Sequence, residues 1–578
     1  MTTAEETPDP TLLPERAVPR WRAWLSRYKK ETLVVVAMLA TLAGPFLLRP
    51  AGSTGPARYD RRLVVITPHH ELIRREFGLA FSRYWKEKTG QVVFVDWRVP
   101  GGTSEIALLL KSEYLGAFQH YWEKTLGKTW SPKVEQACLE GKTVFSEGTE
   151  EAAARKAFVE SEVGIGVDLF FGGGPYDFQQ QARAGVLVAT TKKGEGGLPS
   201  VRKAHPEWFS EAGIPETLSG ETFRDKDERW AGTCLSTFGI VYNRDVLKRL
   251  GIEKEPESWA DLADPRLLGQ VALSDPSKSG SVTKAFEMVI QQKMRQALDD
   301  LKQRPKGGRF AKSEQELEAE AVRVGWQEGM RLIQRIAANA RYFTDSSPKI
   351  PLEVSRGDAA AGMCIDYYGR SAEEQTRGKD GKSRVGFVAP VGGTAVSVDP
   401  VGMLRGAPDA ELATAFMAFV LSDAGQDLWG LKSGAAGGPT KVALRRLPVR
   451  RDWYTEARLP MMSDAGERPF EKAKLFHYEA DWTGPVFNAI RFLIRVMCLD
   501  THKELREAWV ELERAGFPPE ATRTFHELGL IHFDNAASNV TQTLASRDKA
   551  QETRLARQLG EAFRKQYQLA ASQARRGQ

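Results

Sequence analysis

Apolar runs and apolar periodicities alternate along the chain in an order that predicts strand–helix–strand units. Leu63–Ile66 is a continuous apolar run, the mark of a strand buried on both faces. Ile73, Phe77, Ala80, Phe81 and Tyr84 recur at helical spacing, and the helix they predict ends at Gly90. Gln91–Trp97 predicts a second strand, and the Gly-rich turn Arg98–Glu105 opens another helix. This is the start of a doubly wound α/β lobe. Residues 111–160 predict a mostly helical insertion. Val167–Gly174 predicts the next strand and its glycine turn, followed by a helix over Tyr176–Ala184. Residues 190–229 are polar, bear Gly and Pro, and predict irregular structure.

Trp230–Asn243 is long, carries few charges and predicts an extended crossing between two lobes. Val282, Ala285, Phe286, Val289 and Ile290 then mark a helix opened by Asp275-Pro-Ser-Lys-Ser-Gly280. Residues 296–325 are highly charged and predict a solvent-exposed helical insertion. Gly357–Arg370 predicts a short buried strand whose C-terminal end, turning at Gly369, delivers Asp366, Tyr367 and Tyr368. Val385–Pro390 to Val398–Met403 predicts a return crossing, and Leu412, Phe416, Phe419 and Val420 a further helix. From about residue 450 helical patterns dominate; from about Thr541 the chain is polar and basic, either a frayed helix or a tail.

At 578 residues, with 42% hydrophobic and 27% charged, the chain is long enough for two or more lobes of ordinary globular composition. The formal charge of +6 is small for this length, and basic residues gather near the two ends. That argues against a nucleic-acid protein, which shows a basic stripe on a folded domain. Arg16, Arg20, Arg22, Arg27, Lys29 and Lys30 precede the uncharged run Thr32–Leu48. As a helix this run reaches roughly 25 Å, near the lower limit for a bilayer span. The basic flank stays cytoplasmic and places the chain after Arg49 outside; a cleaved signal or a buried soluble helix are the alternatives. The four cysteines contain no Cys-x-x-Cys pair, so no thiolate-metal or redox motif is present. Gly-x-Ser-x-Gly, His-Glu-x-x-His and Walker signatures are absent too.

Ligands of open α/β sheets sit at the C-terminal ends of strands, where the candidate residues fall. Tyr367 and Tyr368 either bind a hard cation such as ferric iron, or donate to an anion, or are half-buried core. His69 and His70 follow the first strand. With Glu71 they either complete an oxygen-rich site or merely open a helix. Ser277, Ser279 and Gly280 make an anion cradle at a helix N-terminus, and Thr103 and Ser104 make a second; plain N-caps are the other reading.

The ordered set of segments resembles the periplasmic solute-binding proteins of ABC importers, in the group that includes ferric-ion binding proteins. The segments are Val64–His69, Asp168–Gly173, Gly239–Asn243, Pro256–Gly269, Asp275–Gly280, Gly357–Gly362 leading to Tyr367-Tyr368, and Pro390–Ala395 with its helix. They cover about residues 61–445. The resemblance implies an α/β, two-lobed type II periplasmic-binding-protein fold with hinge strands. To this are added an N-terminal transmembrane helix and a mainly helical C-terminal extension. The expected layout is a basic leader over 1–30, an anchor over 31–49 (residues 32–48 in the bilayer), a linker over 50–60, and lobe 1 over 61–238. Lobe 2 spans 239–392, the return to lobe 1 spans 393–445, and the extension spans 446–578.

The implied role is the extracytoplasmic solute-binding component of an importer, not an enzyme, working as a monomer with a membrane permease and without a cofactor. It closes on ferric iron held by Tyr367, Tyr368 and His69, or on another small solute. Asp366 serves a cationic ligand, and Ser277, Ser279, Thr103 and Arg370 an anionic one. Asp366 stands where iron binders have a neutral residue, and Pro68-His69-His70 is not their usual turn. The alternatives are a ligand sensor coupled to a membrane partner, or a secreted α/β enzyme with Asp366 or Glu105 as general base.

Overall fold

The computed structural model describes residues 37–39, 41, 58–141, 143–303, 313–546 and 548–577. The chain divides into two compact units, residues 1–58 and 59–578. In the first, Ala37–Leu39 and Thr41 are helical; the expected anchor over 32–48 otherwise lies outside the described residues. Among the described residues no helix is long and apolar enough to cross a membrane.

The second unit is built on two sheets. The first contains β1 (Arg61–Ile66), β2 (Val93–Arg98), β3 (Leu169–Phe171), β4 (Leu187–Val188), β7 (Ala231–Ser236), β13 (Ser397–Leu404) and β14 (Leu447–Pro448). Its order is β14-β7-β13-β3-β1-β2, with β4 also on β13. β1 runs parallel to β2 and β3, whereas β13 is antiparallel to β3 and β7. β5 (Thr217–Leu218) and β6 (Glu221–Thr222) form a small hairpin. The second sheet has β8 (Phe238–Asn243), β9 (Val271–Ser274), β10 (Ala340–Thr344), β11 (Ala361–Ile365) and β12 (Val385–Val388), in the order β10-β9-β11-β8-β12. Here β8 is the antiparallel strand. The second sheet is therefore parallel but for β8, and the first is parallel but for β13 and the edge strand β14. β7, β8 and β13 are buried at every position, although β7 and β13 carry Thr233, Ser236, Ser397 and Asp399 among their apolar residues.

The expected crossing at 230–243 is two strands, broken at Thr237, one in each sheet. The return crossing lies between β12 and β13. The helices that matter below are α1 (Glu71–Thr89), α2 (Thr103–His120), α3 (Pro175–Ala184), α4 (Gly280–Gln303), α5 (Glu314–Ala338), α6 (Asp366–Gln375), α7 (Phe487–Ile494), α8 (His502–Arg514) and α9 (Lys549–Arg575).

Three expectations are corrected. The stretch 296–325, expected to be solvent-exposed, is so only in part: Ala297, Leu298, Ala321, Val322 and Gly325 are buried in it, and α5, which starts within it, goes on to bury Trp326, Met330, Ile333 and Ile336. A side chain at Gly325 would collide with the backbone of Met294, so this glycine lets α5 lie directly on α4. The polar C-terminal stretch is no frayed tail: α9 runs 27 residues and buries Leu559, Phe563, Tyr567 and Ala570 along one face. Nor is 446–578 a separate appendage. Leu447, Val449, Trp453 and Met462 join the core of lobe 1, whereas the apolar residues from Phe476 to Ala574 join the core of lobe 2. The Tyr567 hydroxyl donates to Met497 O at 3.1 Å, and the Trp326 indole donates to Ile531 O at 2.7 Å. The extension thus crosses from one lobe to the other, a third crossing after the two strand pairs.

Candidate functional site

A cavity of about 630 Å³ lies between the lobes. Three helices point their N-termini at it: α2 through Gly101, Gly102 and Thr103, α3 through Gly174 and Pro175, and α4 through Ser279 and Gly280. Unpaired N–H groups and the helix dipole make such ends favourable for negative charge.

The wall contributed by lobe 1 is built on buried charge. Arg446, just before β14, donates through Nη1 to Asp366 Oδ1 at 3.1 Å and through Nη2 to Asp399 Oδ2. His69 Nε2 lies 3.3 Å from the same Asp399 oxygen. Burial alone would raise the Asp399 carboxyl, but Arg446 and His69 outweigh it and hold it below its ordinary range. Burial pushes the His69 imidazole down, so it stays neutral. With Nε2–H donated to Asp399, Nδ1 is left as a buried acceptor without a partner. The His69 ring fits only because residue 172 is glycine, at φ 88°; a Cβ there would run into the ring. His70 caps α1, its Nδ1 accepting from Leu72 N at 3.3 Å.

The tyrosines do not stand at a strand end that turns at Gly369. β11 stops at Ile365 and α6 starts at Asp366, so both fall in the first turn of a helix. They still line the cavity, their rings 5.3 Å apart. Arg446 lies 5.8 Å from the Tyr367 ring. Burial raises both phenols, Tyr368 to about 12 and Tyr367 further. They remain protonated donors near neutrality.

Lobe 2 supplies hydroxyls instead. Ser281 Oγ is 3.1 Å from Ser347 Oγ and 3.3 Å from Ser279 Oγ, and Ser279 also meets Ser347. All three line the cavity at the start of α4. Asp177, in the first turn of α3, and Glu105, in that of α2, face the cavity from lobe 1. Burial raises Asp177 to about 6, against the opposing pull of Arg491, and Glu105 keeps one buried oxygen, Oε2, without a partner.

The extension closes one side with Tyr478, Asp481 and Phe487, the last packing at 4.5 Å on the Tyr176 ring of lobe 1. Lys284 of α4 bridges Glu221 of lobe 1 and Glu287, at 2.9 Å each, beneath the Tyr478 ring. Arg491 of α7 donates to Ser104 Oγ at 2.9 Å in lobe 1 and to Ser277 O at 2.7 Å in lobe 2.

Of the expected residues, His69, His70, Thr103, Ser279, Gly280, Tyr367 and Tyr368 meet at this cavity. Asp366 is wholly buried against Arg446 and does not line it. Arg370 is committed to Asp464 and Glu467. Ser104 is taken by Arg491, and the Ser277 hydroxyl by Asp275 Oδ1 at 2.7 Å. Among the described residues no cluster of three or more His, Cys, Asp or Glu could hold a metal. Arg446, Lys284, Ser281, Ser347 and Asp177 were not anticipated. The one signal for Arg446 is its place in Leu444-Arg-Arg-Leu447, a charged pair inside an apolar segment.

Among solved structures, iron-bound HitA of Pseudomonas aeruginosa is similar at 17% identity, covering 75% of this chain and 99% of that one, with a TM-score of 0.43. AfuA of Actinobacillus pleuropneumoniae, with bound fructose-6-phosphate, is also 17% identical, covering 64% and 82%, with a TM-score of 0.40. An uncharacterized protein of Haemophilus influenzae is 25% identical over 194 residues, 34% of this chain. The match spans 45% of that relative's length. Residues 211–444, from before the β5–β6 hairpin to the edge of the Arg445-Arg446 pair, match the family model for bacterial extracellular solute-binding protein. Over that segment, about 40% of its length, the chain is similar to the bacterial extracellular solute-binding proteins.

Proposed function

We propose that the chain is the extracytoplasmic solute-binding component of an ABC importer, and that its ligand is a small hydroxylated solute carrying an anionic group. The observation that carries the reading is the triple hydroxyl seat Ser279, Ser281 and Ser347 at the N-terminus of the 24-residue helix α4. Rotatable O–H groups and a helix dipole suit a phosphate- or carboxylate-type group. Glu105 and Asp177, facing the seat from lobe 1, accept from the ligand's hydroxyls. The mostly apolar walls, with Tyr176 and Phe487, take its carbon skeleton. Ligand contacts to both lobes favour the closed state by the extra affinity they add there. A permease partner and an anchor through residues 32–48 belong to the same reading.

Ferric iron is the weaker reading. Arg446 places a buried cation against Tyr367, which disfavours a second cation there. Ferric citrate is expected to give no visible tyrosinate charge-transfer band; a band lost in Tyr367→Phe would overturn the anionic assignment. Calorimetric titration with a hexose monophosphate checks it directly. Binding that weakens about tenfold in Ser281→Ala, the loss of one hydrogen bond to a charged group, is the expected result. Binding indifferent to Ser279, Ser281 and Ser347 would remove it.

A further inference from the structure

A second cavity of about 360 Å³ lies beside the cleft, and the two share Gln179, Arg183 and Thr222 in their walls. One face of α3 supplies Gln179, Ala182 and Arg183. The β5–β6 hairpin supplies the paired Thr217 and Thr222, and the loop after it Arg224, Asp225, Lys226, Arg229 and Trp230. The hairpin forms the partition between the two spaces and is held firmly. Its turn, Ser219-Gly220, has φ 47° and 84°. Tyr478 N donates to Ser219 O at 2.8 Å, and a Cβ on Gly220 would collide with Tyr478 O.

Four cations line this side pocket against the carboxylates of Glu216 and Asp225. Arg229 is committed to Asp225 at 2.5 Å and to Asp227 at 2.9 Å. Arg224 spends its Nε on Ile214 O at 3.1 Å. Among the described residues, Arg183, Arg224 and Lys226 make no ion pair, so their charge is not cancelled locally; Glu216 subtracts from it in part. Trp230 is fully buried in the wall, and its indole N–H has no partner. A concave site with surplus positive charge and an unspent donor is a place for an anion.

We propose that this side pocket holds a second anionic group of the same ligand. The solute is then a small hydroxylated compound with two anionic groups. One group sits at the serine seat, the other among Arg183, Arg224 and Lys226, with the neutral body passing the hairpin at Thr222. This deepens the anionic reading of the cleft and rests on it.

The test is calorimetric titration of the full chain with a hexose monophosphate and with the corresponding bisphosphate. The bisphosphate is expected to bind about tenfold more tightly, the worth of one charge-assisted contact. Lys226→Glu, an exposed position outside the cleft, should bring that ratio near one while leaving monophosphate affinity and melting temperature in place. Arg183→Ala should lower the ratio as well. Equal affinity for the two compounds, or a ratio untouched by both substitutions, overturns the side pocket and leaves the cleft assignment standing. Failure of both compounds to bind removes the anionic reading itself, and the second site with it.

Discussion

The two walls of the cleft solve opposite problems. On one, Arg446, Asp399 and His69 of lobe 1 are buried and pair with one another and with Asp366 at the end of β11. In lobe 2, Ser279, Ser281 and Ser347 hydrogen-bond mainly among themselves at a helix start. Full charges removed from water must be matched by fixed partners. Hydroxyls need only turn their protons to exchange one partner for another. The strong charges therefore hold the wall together, and the weak dipoles are left free to meet a ligand of the proposed kind.

The largest test of this contrast is Arg446→Met. It strands two buried carboxylates and should cost about 3–5 kcal/mol, read from denaturant unfolding. A loss under about 1 kcal/mol would show that the lobe 1 charges are not structural. Lys284→Met, which strands Glu221 and Glu287 across the lobe boundary, should cost about 3 kcal/mol, the lower end of the same range.

On stability, Asp177→Asn should act through pH. In the folded protein this carboxyl holds its proton up to about 6, above the ordinary value of 3.8. The associated stability is full below the ordinary value and is lost as pH rises through about 6. The variant should match the native melting temperature near pH 4 and exceed it at pH 7; parallel curves over that range would sink the claim. The smallest effect is expected from Ser347→Ala. If its hydroxyl serves the ligand more than the fold, stability should change by about 1 kcal/mol or less, the net worth of a neutral hydrogen bond. Its anion affinity, by titration, should fall as in Ser281→Ala.

Much of the framework is legible wherever one pattern dominates. Leu63–Ile66 and Phe238–Tyr242 are apolar without interruption because the sheets bury them on both sides. α5 and α9 mislead because their charged residues outnumber the apolar stripe. Leu559, Phe563, Tyr567 and Ala570 do keep helical spacing, but inside a run of Arg, Gln and Glu. In the site, residues beside recognisable turns, such as His69, Ser279 and the tyrosines, could be named. Arg446 and the bridge from Lys284 to Glu221 could not, because Asp366, Asp399 and Glu221 lie 47 to 80 residues away along the chain. Asp366 and Arg370 look like ligand residues for the same reason: the sequence shows their charge and hides Arg446, Asp464 and Glu467.

The third crossing changes the mechanics of the molecule. Two adjacent strands make a compliant pivot, about which a pair of rigid bodies can swing with little resistance. The extension adds an off-axis tether, through Arg491 to Ser104 and through Tyr478 to Ser219. Swinging the bodies apart then stretches that tether instead of only flexing the pivot. On the proposed reading, opening the cleft would have to break these hydrogen bonds as well as flex the pivot.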